Sequence, residues 1–366
     1  MTDINTPDGS GRIDGVDKNP KATPSTITHA FGKNMNSSSE KNLILITGFT
    51  GSGTATGYVG LYRFNTYAND SEIYDITSTG EEGLSRQGNT TMSVDGTVCA
   101  IVNRPSTSHY VNMYRTEDDW ETFTDIAINT GITNLSYTPI IGCSGNGEFM
   151  CVAVQREIRI YQWDGISDWV YRDNIITGHT ATTYNYAISL SNDGSKLLYS
   201  WHYGDGGSSH STDVRSISAV GIIGGAEENS MFNKTITMAY EGDYGYRYSS
   251  GKLYVSDFSI FNGGEVLAYD TLQLSGSPME STEIVKGNYS IPLISIKVGT
   301  EIHVLSPADT GTAPDWSNVS LVDVIPMDDF PPTISSYSWE IISDGLLMLR
   351  YEESSSVYKL IKIYYK

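Results

Sequence analysis

The chain has 366 residues, 43 of them acidic against 23 basic, for a formal net charge of −20. A field of that sign repels phosphate backbones, which removes nucleic acid from the expected partners. With 25 tyrosines and 36 glycines, and Ser, Thr and Asn filling the gaps between short apolar runs, the composition is that of strands and turns. No run of eighteen apolar residues reads as a membrane-spanning helix.

The first residues, MTDINTPDGSGRIDG, lack the basic start and apolar stretch of a signal peptide. The Asn-x-Ser/Thr matches at Asn89, Asn233, Asn288 and Asn318 therefore carry little weight. Residues Thr6 to Asp17 partly follow a calcium-binding EF-hand loop, with Gly and Ile in place. Thr6 stands at the first ligand position, however, and no flanking helices are evident. The segment reads as an acidic leader, residues 1–25, ending in a short strand at Arg12-Ile13-Asp14-Gly15-Val16.

The apolar strand NLILITGF opens the main body, residues 26–366. The Gly-rich run GFTGSGTATGYVG after it joins two strands and has no phosphate-binding Lys. Further on, Ser93-Val94-Asp95-Gly96, Ser144-Gly145-Asn146-Gly147 and Ser191-Asn192-Asp193-Gly194 each separate two apolar strands, as in TTMSVDGTVCAIV and YAISLSNDGSKLLYSW. Asp-Gly and Asn-Gly are the chemistry of tight hairpins, where both central residues are expected to tolerate positive φ. One such turn means little, but their glycines fall 51 and 47 residues apart. Weaker copies follow at Gly251, Gly299 and Asp344-Gly345, and backward extrapolation reaches Lys41.

Within a unit, EIRIYQW, the turn Asp164-Gly165 and WVYRDNII complete the set begun by FMCVAV. Four strands per period with no helical stretch between them predict radial blades: an all-β, single β-propeller of seven four-stranded blades, with six as the alternative. The last unit shows only three strands, ending in YKLIKIYYK, so its edge needs a partner. The strand at Arg12–Val16 is expected to close the ring there. The alternative is the segment TITHAF, residues 26–31.

Three resemblances accompany this pattern. Gly178-His179 through Ser191-Asn192-Asp193-Gly194, preceded by Tyr161-Gln162-Trp163-Asp164, resembles a WD-repeat. Thr116-Glu117-Asp118-Asp119-Trp120-Glu121-Thr122-Phe123 is similar to the Asp-box hairpin of sialidase-type propellers, with Trp120 where that motif has Gly and Phe123 where it has Trp. The Asp box implies a structural role in that family and no catalysis. The run Ile160-Tyr161-Gln162-Trp163-Asp164-Gly165, followed by Trp169 and later by Leu-Ser-x-Asp-Gly-Ser, resembles degenerate propeller repeats of phage, algal-virus and marine bacterial proteins. That likeness implies a virion component.

The chemistry-bearing residues form no local motif. No Gly-x-Ser-x-Gly elbow occurs, and the early Arg-Ile-Pro of sialidases is broken at Arg12-Ile13-Asp14. His202, His210, Asp205 and Asp213 crowd one polar loop that invites a metal reading but fits a surface loop better. Cys99, Cys143 and Cys151 have no metal-type spacing and read as buried small hydrophobes.

The expectation is therefore a non-enzymatic structural or interaction protein of a virus particle, with no cofactor, metal or catalytic residue. Its partners would be other virion or scaffold proteins, or a host surface glycan or protein. The residues it singles out are turn residues: Asp95, Gly96, Asn146, Gly147, Asp193, Gly194, Gly251, Gly299, Asp344 and Gly345. The alternatives are a glycan-active enzyme of sialidase or lyase type and a cytoplasmic WD-repeat-like scaffold.

Overall fold

The computed structural model describes residues 13–14, 35–38, 43–49, 57–64, 71–74, 90–103, 110–131, 139–154, 156–177, 183–203, 210–226, 236–239, 244–249, 252–257, 265–270, 285–287, 293–298, 301–309, 314–326, 334–342, 345–352 and 357–364. By internal packing the chain divides into two compact units, Met1–Ile141 with Pro331–Lys366, and Gly142–Phe330.

The described strands begin with β1 (Ile13–Asp14). β2 (Met35–Ser37), β3 (Leu43–Phe49), β4 (Gly57–Phe64) and β5 (Ser71–Tyr74) form one antiparallel sheet. β6 (Thr90–Met92), β7 (Val98–Asn103), β8 (Tyr110–Arg115) and β9 (Thr124–Asn129) form the next.

A third sheet holds β10 (Ile140–Cys143), β11 (Phe149–Val154), β12 (Glu157–Trp163) and β13 (Trp169–Ile176). The fourth holds β14 (Thr183–Leu190), β15 (Lys196–Tyr203), β16 (His210–Ile217) and β17 (Ile223–Ala226). β18 (Ile236–Ala239), β19 (Tyr244–Ser249), β20 (Lys252–Asp257) and β21 (Glu265–Asp270) make the fifth. β22 (Val285–Gly287), β23 (Ile294–Val298), β24 (Glu301–Asp309) and β25 (Pro314–Pro326) make the sixth.

β26 (Ile334–Ile342), β27 (Gly345–Glu352) and β28 (Val357–Tyr364) end the chain. Their fourth strand is β1, paired antiparallel to β28 with Ile13 opposite Tyr364 and Asp14 opposite Ile363. The N-terminal strand thus covers the edge that the three C-terminal strands leave open. TITHAF lies outside the described residues.

The protein is all-β, and its repeated four-stranded antiparallel sheets are compatible with a propeller. Burial follows strand position. Every residue of β11, the second strand of its sheet, is buried, as its continuous apolar run FMCVAV requires of a strand covered on both faces. The third strands β8 and β12 mix buried and half-buried positions, and the outermost β9 is exposed or half-exposed throughout. In the first unit, Leu43, Leu45 and Leu61 of the β2–β5 sheet cluster with Met92, Cys99, Ile101, Tyr114 and Trp120 of the β6–β9 sheet. Each large apolar side chain buried this way contributes on the order of 1.5–3 kcal/mol.

The repeat phase needs one correction. Gly96, Gly147 and Gly194 lie between the first and second strands of their sheets, as does the Lys41 segment between β2 and β3. Gly251 and Gly299 instead fall between the second and third strands, β19–β20 and β23–β24. Pairing of Ser249 with Lys252 and of Val298 with Glu301 leaves two-residue connections there. Those two glycines, like Asp344, lie outside the described residues. The hairpin that continues the series joins β18 to β19, where Gly242 stands 48 residues after Gly194. Gly251, 57 residues after Gly194, therefore belongs to the next hairpin of its sheet.

Candidate functional site

Three of the turns singled out by sequence share one hydrogen-bond pattern. Gly96 N donates to Ser93 O at 3.1 Å, Gly147 N to Ser144 O at 3.1 Å and Gly194 N to Ser191 O at 3.0 Å. The glycines have φ of 69°, 66° and 76°. Only Asp119 and Trp120 have positive φ among the described non-glycine residues. The expectation of two left-handed residues per turn is thus replaced by a right-handed turn followed by one left-handed glycine.

The acidic or amide residue serves as a side-chain acceptor. Asp95 Oδ1 accepts from Ser93 Oγ at 2.6 Å and from Thr97 N at 2.9 Å. Asn146 Oδ1 accepts from Ser144 Oγ at 2.7 Å and Glu148 N at 3.1 Å. Asp193 Oδ1 accepts from Ser191 Oγ at 2.7 Å and Ser195 N at 2.9 Å. Each serine is a hub whose hydroxyl also accepts the backbone N–H five residues on, from Val98, Phe149 and Lys196. All three serines are buried.

The turns also tie neighbouring sheets together within each unit. Ser38 Oγ donates to Val94 O at 2.5 Å in the first unit. Asn146 N donates to Asn192 O at 2.9 Å in the second. A Cβ on Gly194 would overlap the Phe149 ring of the preceding sheet. These residues are framework.

The hairpin from Thr116 to Phe123 joins β8 to β9 and has the bonding of an Asp box. Asp118 accepts from Thr122 N at 2.8 Å and from Thr122 Oγ1 at 2.6 Å. The Thr122 hydroxyl and then its N–H hold the Asp118 carboxyl below the ordinary aspartate value. Thr116 Oγ1 accepts from Trp120 N at 2.8 Å. Trp120 stands at the motif's glycine position and keeps that residue's conformation, with φ 73°. Its indole is 2 % exposed, whereas Phe123, at the motif's Trp position, is 41 % exposed. One residue has moved into the core in place of the other.

The trio nearest to sialidase chemistry lies on β15 and β16. Tyr199 Oη donates to Asp213 Oδ2 at 3.0 Å and accepts from Arg215 Nε at 2.8 Å. Arg215 also donates to Gly224 O at 3.2 Å. Burial first, then the Asp213 charge, pushes the Tyr199 phenol well above its ordinary value. Tyr199 is buried at 2 % exposure, out of reach of a substrate, and the trio clamps three strands of one sheet.

His202 lies directly opposite His210 in the β15–β16 ladder; Asp205 lies outside the described residues. Among the described residues no group of three His, Cys, Asp or Glu side chains could hold a metal ion. Cys99, Cys143 and Cys151 are buried thiols. Burial, then neighbouring Cys143, pushes the Cys151 thiol far up. It donates to Gly142 O at 3.3 Å.

No protein-family model matches this chain, and no curated protein matches it in sequence. Solved structures do resemble it. Hydrazine synthase of Kuenenia stuttgartiensis is 13 % identical, with a TM-score of 0.57 over 93 % of this chain and 98 % of that one. Sqt1 of Chaetomium thermophilum, bound to the N-terminus of ribosomal protein L10, is 8 % identical with a TM-score of 0.52 over 93 % and 98 %. A Bacteroides uniformis protein with a provisional 6-phosphogluconolactonase assignment is 12 % identical with a TM-score of 0.51 over 85 % and 92 %. Such likenesses show a propeller-like fold and no link to virus particles or WD-repeat membership.

They also overturn the expectation of a non-enzymatic protein, because the same architecture serves enzymes. That expectation rested on the absence of local catalytic motifs. In a repeat architecture, however, a site is assembled from loops of several sheets, so a local motif is not required.

Proposed function

We propose that the protein is one seven-bladed β-propeller, closed by β1 on β28, and that it is a glycan-active enzyme of the hydrolase or lyase kind. The observation that carries this reading is the Thr116–Thr122 hairpin. Its Asp118–Thr122 and Thr116–Trp120 bonds reproduce the Asp-box build that decorates sialidase-type propellers. The box stiffens its blade and takes no part in chemistry.

Enzymes among the solved structures of similar fold support the same reading, including one whose provisional assignment is a phosphorylated sugar lactonase. Purified protein is incubated with sialosides, uronate polymers and neutral polysaccharides, and new reducing ends and unsaturated uronates are measured. Saturable turnover on at least one class is expected. Absence of turnover on all three, by protein with a cooperative melting transition, overturns the proposal.

A further inference from the structure

One face of the β12–β13 hairpin carries an aromatic ladder. Trp163 pairs across the strands with Trp169, and Tyr161 with Tyr171. Ring centroids are 5.7 Å and 5.9 Å apart. Side chains two apart on a strand share a face, so the two rungs sit about 7 Å apart along it. Below them Arg159 lies opposite Asn174, and Glu157 opposite Ile176. Glu157 accepts from Arg159 at 2.9 Å and from Asn174 Nδ2 at 2.8 Å.

The opposite face of the hairpin is committed to the adjacent sheet. Gln162 donates to Ala219 O at 3.0 Å, and Ile223 N donates to Asp173 at 2.9 Å. The aromatic face is open at two of its four rings: Tyr171 is 51 % exposed and Trp163 is half-buried, whereas Tyr161 and Trp169 are buried behind them. Ile166 at the hairpin tip is 82 % exposed. The indole Nε1 of Trp169 is buried without a hydrogen-bond partner among the described residues. A buried donor left unmade is costly.

We infer that this face is a binding platform for a neutral glycan chain. Pyranose rings present C–H faces that lie flat on aromatic rings and hydroxyls that bond to amides and carboxylates at the margin. Tyr171 and Trp163 supply the first, held in place by Tyr161 and Trp169 behind them, and Asn174 and Glu157 supply the second. Charge selects the neutral class: the protein carries a formal −20, and the cation of this face, Arg159, is already paired with Glu157. The inference specifies a substrate class for the glycan-active reading but needs no turnover, so the two fail separately.

The test is affinity electrophoresis of the full chain in gels containing mixed-linkage β-glucan, xyloglucan, galactomannan or dextran. Retardation by at least one polymer is expected. Tyr171→Ala and Trp163→Ala should each raise the dissociation constant tenfold or more, whereas Tyr171→Phe should hold it within about threefold and Leu267→Ala on β21 should leave it unchanged. Melting curves of the variants confirm that they fold. No retardation by any of the four polymers overturns the inference, as does retardation unaltered in both alanine variants. It is equally overturned if the patch proves to be a self-association surface, with Tyr171→Ala converting a dimer to a monomer without glycan binding. Retardation without turnover sustains the platform and sinks the enzyme reading.

Discussion

The indole Nε1 of Trp120 donates to the carbonyl of Gly96 at 2.9 Å, bridging 24 residues of sequence. It joins the Asp-box hairpin between β8 and β9 to the Ser-x-Asp-Gly turn between β6 and β7. The two hairpins of this sheet are thereby tied to each other. Trp120→Phe keeps most of the apolar area and loses the bond, for an expected cost of about 1–2 kcal/mol. Trp120→Ala also opens a cavity and should cost about 3–5 kcal/mol. Urea titration of both variants checks the order; a Trp120→Phe variant as stable as the parent would assign the role of Trp120 to packing alone, and equal losses in both variants would assign it to the bond.

Two left-handed glycines separate backbone strain from crowding. Gly165, φ 84°, has open space where a Cβ would point, whereas Gly194, φ 76°, faces the Phe149 ring. Gly165→Ala should cost about 1–2 kcal/mol from strain alone. Gly194→Ala adds overpacking of about 1–3 kcal/mol. Thermal melts of the pair should show the larger loss at Gly194.

Acid should act through the turn carboxylates. For Asp193, burial raises the affinity for a proton, but the Ser195 N–H and the Ser191 hydroxyl together with other bonds bring its value below the ordinary one. Asp118 is lowered too, by Thr122. A depressed folded-state value means stabilisation that is present above the unfolded value of about 3.9 and lost as pH falls through the folded one. The melting temperature should therefore be flat from about pH 7 to 5 and decline below about 4. Asp193→Asn should reduce that decline while keeping the turn, because Asn146 fills the same position in the preceding sheet. Melting temperature measured across this range for both proteins decides it; an undiminished acid decline in the variant would contradict the assignment.

Much of this fold was legible in the chain because strand alternation and hairpin chemistry are local. FMCVAV, EIRIYQW and WVYRDNII were readable as strands, and the short Arg12–Val16 segment as an edge partner, which β1 is. Gly251 and Gly299 misled because a glycine between two apolar strands looks the same whether it joins the first pair of a sheet or the second. The hub role of Ser93, Ser144 and Ser191 was visible in the spacing but was credited to the Asp-Gly pair. Trp120 could be matched to the Asp box, yet its capture of the core position depends on tertiary packing with Met92 and Leu43. The aromatic platform was masked by its likeness to a Trp-Asp strand ending; its signal was the i, i+2 pairs Tyr161–Trp163 and Trp169–Tyr171.

The proposed propeller rests on its sheets being blades of one ring latched by Ile13–Asp14 against Ile363–Tyr364. Deleting residues 1–20 exposes the β28 edge and breaks the latch while leaving every other described strand intact. Calorimetry of the full chain and the truncated one is the most direct test. A melting temperature lowered by several degrees, on the order of the 2–4 °C expected per kcal/mol for large domains, is the predicted result. An unchanged transition would contradict closure by the N-terminal strand.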